Sequence, residues 1–235
     1  MQERTVIVIP TYNERGNIKK ILDLIFKTYP NIKVLFVDDK SPDNTQEIIR
    51  GEQKTNHNIY LLSGNKKGLG IAYKRGFLYA IQKLNAQYII QMDADLSHNP
   101  KYIKDFIKYI ANYDVVIGSR YISGGKIPDN WGIHRRLISS TGNILTRAIL
   151  KIPITDCTSG FKIIKTEKLP LEFINKIQSN GYLFQVELLY FLYKSNCKIK
   201  EIPIEFKDRK IGKSKMRIKD IVEYFTNLFA IKRKY

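Results

Sequence analysis

A chain of 235 residues, 43% hydrophobic and 26% charged, has the apolar share to build a sizeable core, which excludes a disordered protein. Its 40 Lys and Arg outnumber 22 Asp and Glu, and the formal charge of +18 favours polyanions: nucleic acid, an anionic membrane surface or phosphorylated ligands. Cys157 and Cys197 alone make neither a disulfide scaffold nor a CxxC metal centre, and fit a reducing, cytoplasmic compartment.

The opening MQERTVIVIP lacks the apolar region of a signal peptide, and no run of about 18 apolar residues occurs. The expectation is a chain that does not span a membrane but can lie on one. TVIVI (5–9) predicts a strand, PTYNERGN a loop, and Ile18, Ile21, Leu22 and Ile25 the inner face of a helix. VLFV (34–37) is a second strand; DDKSPDNTQEIIR opens a short helix, with Pro42 and Asp43 as start signals. NIYLL (58–62) is a third strand. Leu69, Ala72, Tyr73, Gly76, Phe77, Ala80, Ile81 and Leu84 share one helical face. YIIQM (88–92) and DVVIGS (114–119) are strands on either side of a helix marked by Ile103, Phe106, Ile107 and Ile110.

Strands alternating with helices predict an α/β fold whose mainly parallel sheet is flanked by helices. Ligands then bind at the carboxyl ends of the strands, so loops 10–16, 38–44 and 93–99 share one edge. Past 119 the alternation weakens. SGGKIPDNW reads as a loop, RRLISSTGNILTRAILKI and YLFQVELLYFLYK as helices, FKIIK and KIKEIPIEF as strands. The basic tail from 216 to 235 predicts an amphipathic helix with Ile218, Ile221, Val222, Phe225, Leu228 and Phe229 on one side. No Gly-, Ser- or Pro-rich linker interrupts the chain, so one domain over 1–235 is expected.

The motif QMDADLSHNP (91–100) puts Asp93 and Asp95 where the fourth strand runs out. If the strand persists to Asp95, both acids face one way about 6.6 Å apart. At an effective dielectric of about 20 they repel by about 2.5 kcal/mol, and a divalent cation turns that penalty into a site. Oxygen-only ligands suit Mg²⁺ or Mn²⁺. Tyr12 of IPTYNE offers a flat face for a base, Glu14 an acceptor, and Asp39 of VDDKSPDNT a carboxylate for a ribose hydroxyl or base N–H. Taken singly, these loops are better read as ordinary turns, where Asn, Asp, Ser and Pro dominate.

VIVIPTYNE, VDDKSPDNT, NKKGLGIAYKRG, MDADLSHNP, GSRY, DCTSGFK, GYLFQVELL and DRKIGKSK occur in this order. From about Val6 to Lys215 the set resembles the family-2 glycosyltransferases of GT-A fold, and within them the dolichol-phosphate mannose synthases. The resemblance implies transfer of mannose from GDP-mannose to a polyprenyl (dolichyl) phosphate. It divides the chain into a nucleotide-sugar half (about 1–118), an acceptor half (about 119–215) and the tail. It implies that Pro10, Tyr12, Glu14, Val37 and Asp39 hold the guanosine, and that Asp93, Ala94 and Asp95 line the diphosphate and sugar. Asp95 becomes the direct metal ligand and Asp93 a ligand through water. Ser97 stands where many members carry Gln, a shorter third candidate. Arg209 and Lys215 clamp the nucleotide; Arg120, Arg135 and Ser139 meet the acceptor phosphate. Some members carry C-terminal transmembrane helices that this sequence lacks, and short members can depend on a small membrane subunit. The expected place of work is the cytosolic face of a membrane, bound peripherally.

Charge builds on the departing diphosphate, which a metal on Asp95 and the cations Arg209 and Lys215 stabilise. The acceptor phosphate is mostly dianionic at neutral pH, so no general base is expected and the anomeric configuration inverts; Asp156 is the carboxylate that tests this. A synthase using another sugar nucleotide, such as UDP-glucose, is the alternative within the fold. A nucleic-acid-binding module fits worse, because the basic residues are spread among acids and no nucleic-acid signature is visible.

Overall fold

The computed structural model describes residues 1–177, 179–208 and 218–235, without the side chains of residues 182 and 218–223. Its first half winds β1 (Thr5–Thr11), α1 (Ile18–Phe26), β2 (Lys33–Asp38), α2 (Thr45–Gln53), β3 (Ile59–Ser63), α3 (Leu69–Gln82) and β4 (Tyr88–Gln91). Then follow α4 (Ile103–Tyr109), β5 (Val115–Ser119), α5 (Ile133–Leu150), β6 (Lys162–Lys165), α6 (Leu171–Lys176), α7 (Gly181–Lys194), β7 (Ile199–Pro203) and α8 (Ile218–Lys234). One seven-stranded sheet runs in the order β3-β2-β1-β4-β6-β5-β7. β6 pairs antiparallel with both β4 and β5, and every other pairing is parallel.

Burial on both sheet faces explains the apolar runs. Val6 and Val8 of β1 enter one core with α3 and α7, while Ile7 and Ile9 enter a second with α1 and α4; all four are 0% exposed. α3 lies flush on β1 and β2 because it presents Gly76 there. A Cβ at that position would stand 2.5 Å from Val8 Cγ1 and 2.9 Å from Val37 Cγ2. Ala72, Tyr73, Phe77 and Ala80 are buried as the spacing predicts, but Leu69, in the first turn, is 37% exposed.

Asp43 does mark the start of α2: its Oδ1 accepts from the Thr45 N–H, one of the groups a helix start leaves wanting, and from the Thr45 hydroxyl. The short α6 is a helix that the apolar spacing does not announce, since about one and a half turns give too few positions to show a period. It forms because Phe173 and Ile174 bury against the α3–α7 core.

α5 is unusual. Its buried positions include Asn143 and Thr146, whereas Ile133, Leu137, Ile138, Ile144 and Leu145 are exposed. α8 packs on α5 and α7, with Leu228 and Ile231 buried and Phe229 exposed. Among the described residues no helix is long and apolar enough to cross a membrane.

Candidate functional site

Because the sheet is mainly parallel, β1, β2 and β4 all end at one edge, and the strand order reverses between β1 and β4. That reversal opens a crevice. Tyr12 follows β1 there, 39% exposed, with the Lys66 ammonium 3.3 Å above its ring centre. Glu14 accepts from Asn17 Nδ2 at 2.7 Å, and its N–H donates to Thr45 Oγ1. Pro10 does not stop the strand as expected; it pairs in register with Val37, and β1 runs one residue further to Thr11.

The carboxylate that organises this rim is Asp38, which the sequence reading passed over. It is fully buried and accepts from the Thr11 hydroxyl, the Ser41 N–H and hydroxyl, and Gln46 Nε2. Asp39 beside it accepts from Arg75 Nη1 at 2.9 Å. Burial pushes the Asp39 carboxyl up from its ordinary pKa, against the pull of Arg75. Val37 and Ala94 turn their side chains into the two cores, so any ligand contact there falls to the backbone.

The strand carrying the two acids ends at Gln91, short of Asp93. The premise of a strand persisting to Asp95 is therefore corrected: the acids lie on a tight loop, turned by Leu96 at φ 65°. Asp93 Oδ1 accepts from the Tyr73 hydroxyl at 3.2 Å, and burial, then Asp93 itself, keeps that tyrosine protonated. The Asp93 N–H donates to His98 Nδ1 at 3.0 Å. Asp93 Oδ2 also lies 3.8 Å from Nδ1. Burial holds His98 below its usual pKa, so the contact is to a neutral ring and no ion pair forms near neutrality. Asp95 Oδ1 accepts from the Ser97 N–H and hydroxyl; Ser97, 1% exposed, braces the acid.

The second half supplies the facing wall. Arg120 reaches buried Asp156 through Nε and Nη2, both at 2.7 Å, and Thr158 through Nη2. Arg135 lies 4.0 Å over the Trp131 ring and 3.3 Å from Asp208. Ser139 accepts from the Tyr121 hydroxyl at 2.6 Å. Phe206 joins these groups: its ring is 5.4 Å from Arg120 Cζ, 6.0 Å from Trp131 and 5.5 Å from His98. Arg120 and Arg135 thus border one aromatic wall that continues to the acidic loop. Trp131, Phe206, Arg75 and Tyr73 were missed as site residues, because lone aromatics and basic residues in a chain this basic carry no signal. Arg209 and Lys215 lie outside the described residues.

A mainly parallel sheet with two acids at its reversal point, an exposed aromatic ring and carboxylates on one side and arginines on the other, has the arrangement of a glycosyltransferase of the GT-A class. The glycosyl transferase family 2 model matches residues 6–170, and the chain belongs to that family. A polyprenol monophosphomannose synthase from Mycolicibacterium smegmatis is 34% identical over 226 residues, 94% of this chain and 84% of its own. An undecaprenyl-phosphate mannosyltransferase from Micrococcus luteus is 34% identical over 214 residues, 91% of this chain and 87% of its own. Solved structures share the fold. A mannosyltransferase from Pyrobaculum calidifontis, in complex with GDP-Man and Mn²⁺, has a TM-score of 0.63 at 18% identity over 97% of this chain and 64% of that one. Glucosyl-3-phosphoglycerate synthase from Mycobacterium tuberculosis, with Mn²⁺ and UDP-glucose, has a TM-score of 0.65 at 16% identity over 97% of this chain and 77% of that one.

Proposed function

We propose that this chain is a metal-dependent, inverting glycosyltransferase that moves mannose from GDP-mannose to a polyprenyl (dolichyl) phosphate. The observation that carries the reading is the Asp93–Asp95 loop at the crevice between β1 and β4, in a chain whose relatives are named as polyprenyl-phosphate mannosyltransferases. Tyr12 stacks the guanine once Lys66 moves aside. Pro10, Glu14 and the Val37 backbone shape the pocket, and Asp39, oriented by Arg75, accepts from the base or ribose.

The residues present fit a hard divalent ion. Asp95 is the direct ligand and Asp93 acts through water, while Ser97 orients Asp95. His98 spends Nδ1 on a backbone N–H and offers no competing ligand there. Among the described residues no group of three or more His, Cys, Asp or Glu gathers around a metal position. An acidic pair completed by phosphate oxygens and water is the pattern of Mg²⁺ or Mn²⁺. When bound, the ion offsets charge on the departing diphosphate; Arg209 and Lys215 add cations.

Arg120, Arg135 and Ser139 receive the acceptor phosphate, which is nucleophilic without deprotonation. Both Asp156 oxygens accept from Arg120, which supports a positioning role for this acid and no general base. The exposed apolar residues of α5, together with the charge of +18, support peripheral attachment to an anionic bilayer on its cytosolic face, with or without a small membrane subunit. The chain works as one catalytic unit with donor, acceptor and tail portions near 1–118, 119–215 and 216–235.

The test is a transfer assay with radiolabelled GDP-mannose, a short polyprenyl phosphate and Mn²⁺ or Mg²⁺. Label should pass into the lipid phase as the β-anomer and stop on chelation. If UDP-glucose labels the lipid and GDP-mannose does not, the donor assignment is wrong; if neither does, the function is.

A further inference from the structure

Beneath Asp93 lies a polar cluster that the reaction above does not use. Lys162, the first residue of β6, is 0% exposed, and its ammonium donates to Gln185 Oε1 of α7 at 2.9 Å. Gln185 is 2% exposed. A buried ammonium held by a neutral acceptor is costly, and a well-packed apolar side chain would serve the core better.

What the lysine accomplishes follows from its inventory of three donors and no acceptor. It takes the oxygen end of the Gln185 amide, and so turns the Nε2 end the other way. Nε2 lies 3.5 Å from the point where a Cβ on Gly160 would stand; Asp93 Oδ1 lies 3.7 Å from the same point and His98 Cε1 3.5 Å. A Cβ there would make only ordinary van der Waals contact with all three groups, so they border a space of about one methyl group beside Gly160. Among the described residues no acceptor takes Nε2. A donor and a carboxylate therefore face one small space at the floor of the site. A phosphate wants donors only and is repelled by Asp93. A sugar hydroxyl both donates and accepts, and suits the pair.

We infer that Gln185, in the amide orientation imposed by Lys162, donates a hydrogen bond to a hydroxyl of the transferred sugar beside Asp93. This deepens the nucleotide-sugar reading and rests on it. Gln185 is a sugar-binding residue and Lys162 a positioning residue.

Gln185→Glu separates this role from a structural one. It keeps the shape and pairs with Lys162, so the helix stays seated, but it removes the donor. Calorimetry with Mn²⁺ at about pH 6 keeps Lys162, which burial brings down to about 7, mostly charged. The affinity for GDP-mannose should fall about 3–10-fold, the weight of one neutral hydrogen bond, while that for GDP, which lacks the transferred mannose, stays within about twofold. In Lys162→Met the amide is released to either orientation, and GDP-mannose binding should weaken about twofold because only half the molecules remain competent. Equal losses for both ligands, or none in Gln185→Glu, overturn the sugar contact. No loss in Lys162→Met overturns the orienting role. Wild-type protein that binds neither ligand overturns the nucleotide-sugar reading and this inference with it; binding by wild type with an unchanged variant overturns this inference alone.

Discussion

Replacing Asp156 by Asn distinguishes a positioning acid from a catalytic base. Asp156 is 0% exposed, and the Arg120 side chain 8%. Two contacts of 2.7 Å and the Arg120 N–H at 3.0 Å all end on this one carboxylate. Removing one partner of such a buried pair costs about 3–5 kcal/mol, because the remaining charge stays buried and unmatched. For a chain of this size each kcal/mol moves the melting temperature by about 2–4 °C, so Asp156→Asn should melt about 6–20 °C lower. Arg120→Met should fall by a similar amount. The double variant Arg120→Met/Asp156→Leu should recover most of the loss, since apolar residues of similar volume replace such pairs at little cost. Differential scanning fluorimetry on the four proteins completes the cycle. An Asp156→Asn protein that melts within about 1 °C of wild type but has lost all turnover would refute the reasoning and make Asp156 a base.

Further outcomes follow from other contacts. Lys66→Met should tighten binding of guanosine, which has no phosphate, about 2–5-fold, because a cation over an exposed ring is worth about 0.5–1 kcal/mol and the base no longer displaces it; fluorescence titration reads this. Gly76→Ala drives a methyl into Val8 and Val37, and overpacking of this kind costs about 1–3 kcal/mol, read as a lower urea midpoint. Burial lowers the Lys162 pKa from its model-compound 10.5 to about 7. Between those values the unfolded chain binds the extra proton, so stability should rise with pH over that window and Lys162→Met should flatten the rise. Leu137→Ser/Ile144→Ser should weaken sedimentation with anionic vesicles, and about 1 M salt should weaken it in the parent; indifference to both argues against α5 as the lipid-facing element.

The strands were legible in the sequence because buried parallel strands are written as unbroken Val, Ile, Leu and Phe, and the shared rim followed from their direction. The acidic motif was legible too, although its strand stops earlier than the alternation suggests. Illegible were the partnerships made only by register across distant segments. Gln91, Lys162 and Ile117 lie side by side only because β6 threads between β4 and β5. Asp38 and Asp39 are adjacent and chemically alike, yet one is consumed by its own loop and the other by an arginine on α3. No local pattern separates them. Asp156 stood out in TDCTSG as a carboxylate to test, but nothing local tells that Arg120, 36 residues away, covers it.

The reversed course of β6 has a practical corollary. A strand threaded backwards brings its entrance to the working rim, so the chemistry draws on chain that precedes a strand as well as chain that follows one. The opposite rim is left to plain turns such as 54–58, where Thr55 and His57 face solvent. The five residues of β3 hold that rim roughly 17 Å from the other. A passenger domain or reporter grafted at 55–57 would therefore ride clear of donor and acceptor alike.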